Sequence, residues 1–168
     1  TFVFDAKASA LAGSKIWHNR QSEGLANKSR WRVNSLITAY SRLMVGDSEG
    51  GTIGFIDENA ETDYDINIIR EIGLATLDNN SKTQYHASLE VELESGTTTG
   101  SLEPQLGMSY SSDARTATPV RWRGCGLKGE YNRKVKWWNL GQTNRLRIYK
   151  LTTTEKLTLW KVLVVIDG

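Results

Sequence analysis

His18, His86 and Cys125 are the only imidazoles and the only thiol in the chain, and they lie far apart in sequence. A zinc site draws on three or four His, Cys or carboxylate ligands, usually with a close-spaced pair. No such pair exists here. Asp57-Glu58-Asn59-Ala60-Glu61-Thr62-Asp63 sets oxygen ligands at alternate positions, as a calcium loop does. But Thr62 stands where that loop needs glycine, and Ile68, the twelfth position, supplies no carboxylate, so the stretch reads as a solvated acidic turn. Cys125 lies in Gly124-Cys125-Gly126 near Arg123 and Lys128, cations that could lower a thiol pKa. No base accompanies it, and the ordinary role of a lone cysteine is a small buried apolar residue. No carboxylate pair stands out as the acid and base of a glycosidase. The sequence thus points to no catalytic residue, metal ligand or cofactor site, and to a protein that is not an enzyme.

Binding chemistry is better represented. Trp137-Trp138 stands beside Tyr131, Lys134 and Lys136, and aromatic rings interleaved with cations suit stacking on bases or sugars. Adjacent residues of a strand face opposite ways, so one ring belongs to a core and the other to a surface. Arginine and tryptophan are the residues enriched at interface hot spots. Arg133, Lys134, Lys136, Trp138, Arg145 and Arg147 are therefore the expected subunit or partner interface. Contact of these cations with duplex phosphates is the rival reading, and it would make affinity collapse with salt.

The elements that position these residues read as strands, because short β-branched and aromatic runs alternate with Gly, Asn, Asp and Ser clusters and no long segment keeps a 3.6-residue apolar period. The first half suggests strands at Thr1–Asp5, Lys15–Asn19, Arg32–Tyr40, Arg42–Gly46, Thr52–Ile56 and Ile66–Glu71. The glycines of Asp47-Ser48-Glu49-Gly50-Gly51 make Arg42 to Ile56 a hairpin. The clearest strand is Leu89-Glu90-Val91-Glu92-Leu93-Glu94, whose alternation puts three apolar residues on one face and three carboxylates on the other. Ser95–Ser101 follows as a patternless flexible loop. Further strands are expected at Gln105–Ser111, Val120–Arg123, Lys134–Asn139, Arg145–Leu151 and Leu157–Ile166. Cations alternate on these late strands and could pair across to Glu90, Glu92 and Glu94.

The fold expected is all-β: residues 1–80 as a β-propeller-like segment and residues 81–168 as a β-sandwich-like domain, with the boundary in the polar Asp78-Asn79-Asn80-Ser81 turn. The strand-like opening Phe2-Val3-Phe4, with neither Met nor a basic or signal-type segment before it, suggests a piece of a longer chain. The longest apolar run, Val162–Ile166, is far short of the ~20 residues of a membrane helix. One cysteine allows no internal disulfide, which suits a reducing compartment such as a bacterial cytoplasm. The net charge of +2 conceals an acid-rich middle, Asp47 to Glu94, and a base-rich end, Arg115 to Lys161.

Many short motifs then add up. Trp17-His18, Arg30-Trp31-Arg32, Ala39-Tyr40, Val45-Gly46-Asp47, Gly51-Thr52-Ile53, Ile56-Asp57, Tyr64 and Arg70-Glu71 occur in this order. They are followed by Trp122-Arg123, Gly129-Glu130-Tyr131, Lys136-Trp137, Leu140-Gly141 and Arg145-Leu146-Arg147-Ile148. The series resembles the C-terminal portion of the packaged-DNA stabilisation, or tail-hub, proteins of short-tailed bacteriophages. The resemblance spans nearly the whole chain and rests on no single diagnostic motif. It departs from the family's pattern at two places. Relatives carry a Ser-x-Asp-x-Gly-x-x-Trp-like hairpin, whereas Ser111–Thr118 lacks the glycine and the tryptophan, so no role passes to Asp113. A Gly- and Gln-rich insertion after the acidic strand is shortened to Gly96–Ser101.

The resemblance implies a structural virion protein. It would attach below the portal as a homo-oligomeric ring, help retain packaged DNA, and carry distal tail components. Its partners would be other copies of itself, the portal and other tail proteins, close to duplex DNA without specific binding and away from any membrane. Its place would be the virion tail, assembled in the bacterial host cytoplasm. The alternative from the residues is a carbohydrate-binding, receptor-binding β module of a phage tail, with tryptophan faces in an open groove.

Overall fold

A computed structural model of the chain describes residues 1–22, 30–97 and 102–167. The chain forms two compact units, Thr1–Ile68 and Ile69–Gly168. The Asp78–Ser81 turn expected as a boundary lies inside the second unit, because the strand at Arg70–Gly73 hydrogen-bonds into that unit's sheet.

The first unit contains small antiparallel sheets. β1 (Phe2–Asp5) pairs with β2 (Ile16–Asn19) around α1 (Ala6–Ala12), which the strand-dominated reading did not include. The local sequence explains the helix: the Asp5 carboxylate caps it by accepting from the Ala8 N–H at 2.8 Å, alanines fill it, and Gly13 ends it at φ 66°. β3 (Val33–Ala39), β4 (Arg42–Asp47) and β5 (Ile53–Phe55) form a three-stranded sheet with the expected hairpin between β4 and β5. β6 (Thr62–Asp63) and β7 (Ile66–Asn67) make a further hairpin. Two of these hairpins turn on two residues of positive φ, Tyr40-Ser41 and Tyr64-Asp65, the backbone that matches strand twist and that Asn-Gly usually supplies.

The second unit is a sandwich of two antiparallel sheets. One has the order β11 (Arg121–Gly124), β10 (Gln105–Ser111), β14 (Ile148–Thr153), β8 (Arg70–Gly73). The other centres on β9 (Gln84–Leu93), with β12 (Lys134–Trp138) and β13 (Gln142–Thr143) along one side and β15 (Leu159–Asp167) along the other. Between them Leu89, Val91, Leu93, Leu106, Met108, Cys125, Val135, Trp137, Leu140, Tyr149 and Leu151 form the buried core. Leu89, Val91 and Leu93 point inward and Glu90 and Glu92 outward, as their alternation requires. The expected strand Ile66–Glu71 is in fact two, β7 and β8, which belong to different units.

β9 begins five residues before the acidic alternation and contains a bulge. Val165 pairs with Ser88 and Ile166 with His86, leaving Ala87 as the extra residue. A bulge inverts the facing pattern. His86 therefore lies fully inside although it is out of phase with Leu89, Val91 and Leu93. The loop expected at Ser95–Ser101 falls partly outside the described residues, which exclude 98–101.

Candidate functional site

The basic residues singled out in sequence are divided by the fold into three environments. Lys134 and Lys136 stand on the outer face of β12, directly opposite Glu92 and Glu90 of β9. Lys134 Nζ reaches Glu92 at 2.7 Å and Glu90 at 3.2 Å, and Lys136 Nζ reaches Glu90 at 3.0 Å. Hydrogen bonds from Lys136 and then Lys134 hold the Glu90 carboxyl below its ordinary range, and Lys134 does the same for Glu92. The Lys134 ammonium is stabilised in return, by Glu92 foremost. These four side chains form a cross-strand ladder whose charges largely cancel. At its end the exposed Trp138 ring takes the Lys136 ammonium 3.9 Å from its centroid, while its neighbour Trp137 is in the core and donates its indole N–H to the Arg121 carbonyl at 2.9 Å.

Arg133 and Arg145 form the second group. Both are exposed. The Arg133 N–H donates to Ser95 Oγ. Arg145 sits in a turn and not in the strand expected from Arg145, since β14 starts at Ile148; its N–H donates to Thr143 Oγ1.

Arg147 is the third case and corrects the sequence reading. It is not a surface residue: it is 3% exposed, and its guanidinium donates to the carbonyls of Leu140, Gly141 and Gln142. Its cation also lies over the Tyr110 ring, 4.4 Å from the centroid. The cause is local. The segment from Leu140 to Gln142 turns its carbonyls toward Arg147, and a planar guanidinium with several donors can serve all three, the Gly141 carbonyl also accepting from the His86 N–H. Beside it the Tyr149 hydroxyl and His86 Nδ1 share a hydrogen bond at 2.9 Å. Burial foremost, then the Arg147 charge, pushes the His86 pKa down to about 4. This polar cluster inside the sandwich was not read from the sequence, because nothing in the spacing of His86, Tyr110, Arg147 and Tyr149 brings them together without the bulge and the sheet pairing.

The chemical candidates are placed as follows. Cys125 is buried, and burial foremost pushes its thiol up to about 12, so it is no nucleophile near neutrality. Asp57 accepts from the Asn59 N–H in a tight turn, and Asp63 accepts from the Ser22 hydroxyl at 2.7 Å. Asp113 accepts from the Ser111 hydroxyl and the N–H groups of Arg115 and Thr116, which hold its carboxyl far below the usual range. Among the described residues no group of three His, Cys, Asp or Glu side chains is arranged to hold a metal ion, and no helix is long and apolar enough to cross a membrane.

In the first unit three of the motifs quoted from the sequence converge. Arg32 makes a two-pronged ion pair with the buried Asp47 carboxylate and stacks on the Tyr64 ring, its guanidinium 4.0 Å from the centroid. The hydrogen bond from Arg32 is the main reason the Asp47 carboxyl is held below its ordinary range. Arg32, Val45-Gly46-Asp47 and Tyr64 are thus packing partners that pin the β6–β7 hairpin to the three-stranded sheet.

No curated protein matches the chain. A family model described as "Bacteriophage P22 Gp10, beta-sandwich" matches residues 70–162. The match begins at the first residue of β8 and ends within β15, so it covers the two sheets just described. It takes in more than half of the chain. That family consists of structural phage virion proteins and is not an enzyme family. Because the match spans more than half of the chain, the chain belongs to the bacteriophage P22 Gp10 β-sandwich family.

Proposed function

We propose that the chain is part of a tail hub, a structural protein of the virion tail that attaches below the portal as a homo-oligomeric ring. It helps retain the packaged DNA and carries the distal tail components, after assembly in the host cytoplasm. The observation that carries this reading is the family match from β8 into β15 of the sandwich, together with the ordered motifs that run through the first unit as well. The neutralised Lys134–Glu92 and Lys136–Glu90 ladder supports a protein that lies near duplex DNA without gripping it, since lysines already paired release few counterions on meeting phosphate.

The first unit is in this reading a propeller-like segment of a larger β domain. Its three-stranded sheet is apolar on both faces. Leu36, Leu43 and Val45 share one side, and Ile37, Ile53 and Phe55 the other. Of these only Val45 is buried; Ile37 is 67% exposed and Ile53 73%. A sheet with one wet face alternates apolar and polar residues, so this one is built to be covered on both sides, as a propeller blade is by its neighbours.

The test is assembly on DNA-filled heads made without this protein. Such heads should leak DNA and take on no distal tail parts, and adding the full-length protein should restore both. Heads that hold their DNA and acquire complete tails without it would refute the proposal.

A further inference from the structure

Two loops of the second unit meet in a shallow depression of about 440 Å³ lined by Ser112, Asp113, Arg115, Arg145 and Leu146. They lie side by side because β10 and β14 pair through Ser111 and Ile148, so the chain leaving one strand emerges next to the chain entering the other. Both loops are fixed. The Asp113 carboxylate ties down the backbone at Arg115 and Thr116, the Thr118 N–H returns to the Tyr110 carbonyl, and Thr143 Oγ1 accepts from the Arg145 N–H.

The electrostatics of this depression are unlike those of the β9–β12 ladder. Lys134, Lys136 and Lys150 each have a carboxylate partner. The guanidinium groups of Arg115 and Arg145 have none among the described residues. Asp113 forms no ion pair with either of them; its Oδ1 is turned to the Ser111 hydroxyl and the N–H groups of Arg115 and Thr116. Two unspent guanidinium groups on anchored loops make a receptor for carboxylate oxygens. The hollow has room for a few side chains and not for a duplex. An acidic protein segment fits better.

Such a segment exists on the first unit. Glu61 and Asp65 are exposed on the β6–β7 hairpin and have no cation partner among the described residues. Asp65 is at the tip, where the Tyr64-Asp65 backbone has positive φ. We propose that the Arg115–Arg145 depression of one copy receives Glu61 and Asp65 of a neighbouring copy. Used head to tail, such a contact is heterologous, and it makes a ring when its rotation closes. It rests on the ring reading above and names the contact that would build it.

Charge reversal in two complementary variants of the full-length protein tests this by sedimentation. A chain carrying Arg115→Glu and Arg145→Glu, and a chain carrying Glu61→Lys and Asp65→Lys, should each self-associate at least about tenfold more weakly than wild type. Mixed, they should associate again, because each then offers the other a matched pair. Circular dichroism checks that each variant is folded, and the milder Arg115→Gln, Arg145→Gln chain should weaken association in the same direction. Wild-type-like association of both reversed chains would place the contact elsewhere and leave the ring standing. A wild type that stays monomeric at every concentration would remove the ring and this contact together. Unchanged association with lost duplex-DNA binding in the arginine variant would make the depression a phosphate site and overturn the proposal, as would two folded variants that fail to recover on mixing.

Discussion

Acid should loosen the sandwich through His86 well before its carboxylates protonate. His86 is fully buried, its Nδ1 shares a hydrogen bond with the Tyr149 hydroxyl, and the Arg147 cation stands close by. Protonating it inside the fold means creating a charge away from water and beside another positive charge, which is why its pKa falls from 6.5 to about 4. Above pH 6.5 both the folded and the unfolded chain carry a neutral imidazole. Between 6.5 and 4 the unfolded chain takes up a proton that the native protein refuses, so stability falls as pH falls. The full difference corresponds to about 3 kcal/mol, of which about 2 kcal/mol is already lost at pH 5. Urea titrations followed by tryptophan fluorescence at pH 7, 6 and 5 would measure it, with the His86→Gln chain as control. That variant has no titrating group at the site, so its urea midpoint should change much less over this range. Parallel losses in wild type and variant would refute the argument, because acid sensitivity would then arise elsewhere.

Leu89→Ala should destabilise the protein by about 2–5 kcal/mol, since it opens a cavity between the two sheets, and Glu92→Ala should be far milder; thermal melts of the two would expose a wrong register if the order reversed. Gly107→Ala should be destabilising by about 1–3 kcal/mol, because a Cβ there would come within 2.4 Å of Val120 Cγ1 and 3.0 Å of the Trp122 ring; a neutral melt would mean that the Trp122 cover is loose. Cys125 should stay unreactive toward a thiol reagent at pH 8 until the protein is unfolded, and rapid labelling of the native protein would contradict its placement in the core.

The outer face of the sandwich was more legible in sequence than its interior. Leu89, Val91 and Leu93 announce a half-buried strand because period-two alternation has only one geometric solution, and the same rule sends Trp137 inward and Trp138 outward. The pairing of Lys134 and Lys136 with Glu90 and Glu92 follows once those strands are neighbours. Arg147 shows where the reasoning stops. It has the alternation of a surface cation, yet the inward carbonyls of Leu140, Gly141 and Gln142 draw it inside, and a loop's backbone direction is not encoded in a pattern of side chains. His86 was hidden by the Ala87 bulge, which inverts the facing of the preceding residues without a glycine to mark it. α1 was missed although its signals were local. Asp5, the alanines and Gly13 were masked by the strand-like residues on either side. The depression between Arg115 and Arg145 needed the β10–β14 pairing, which joins residues distant in sequence.

The most direct test of the hub reading is an electron cryomicroscopy reconstruction of virions that contain the full-length protein. The tail vertex should show a ring directly below the portal, with density in each subunit that accommodates the two-sheet sandwich of β8–β15. A vertex in which that sandwich is found only at the distal tip, in position to meet a host receptor, would contradict the hub and favour a receptor-binding module.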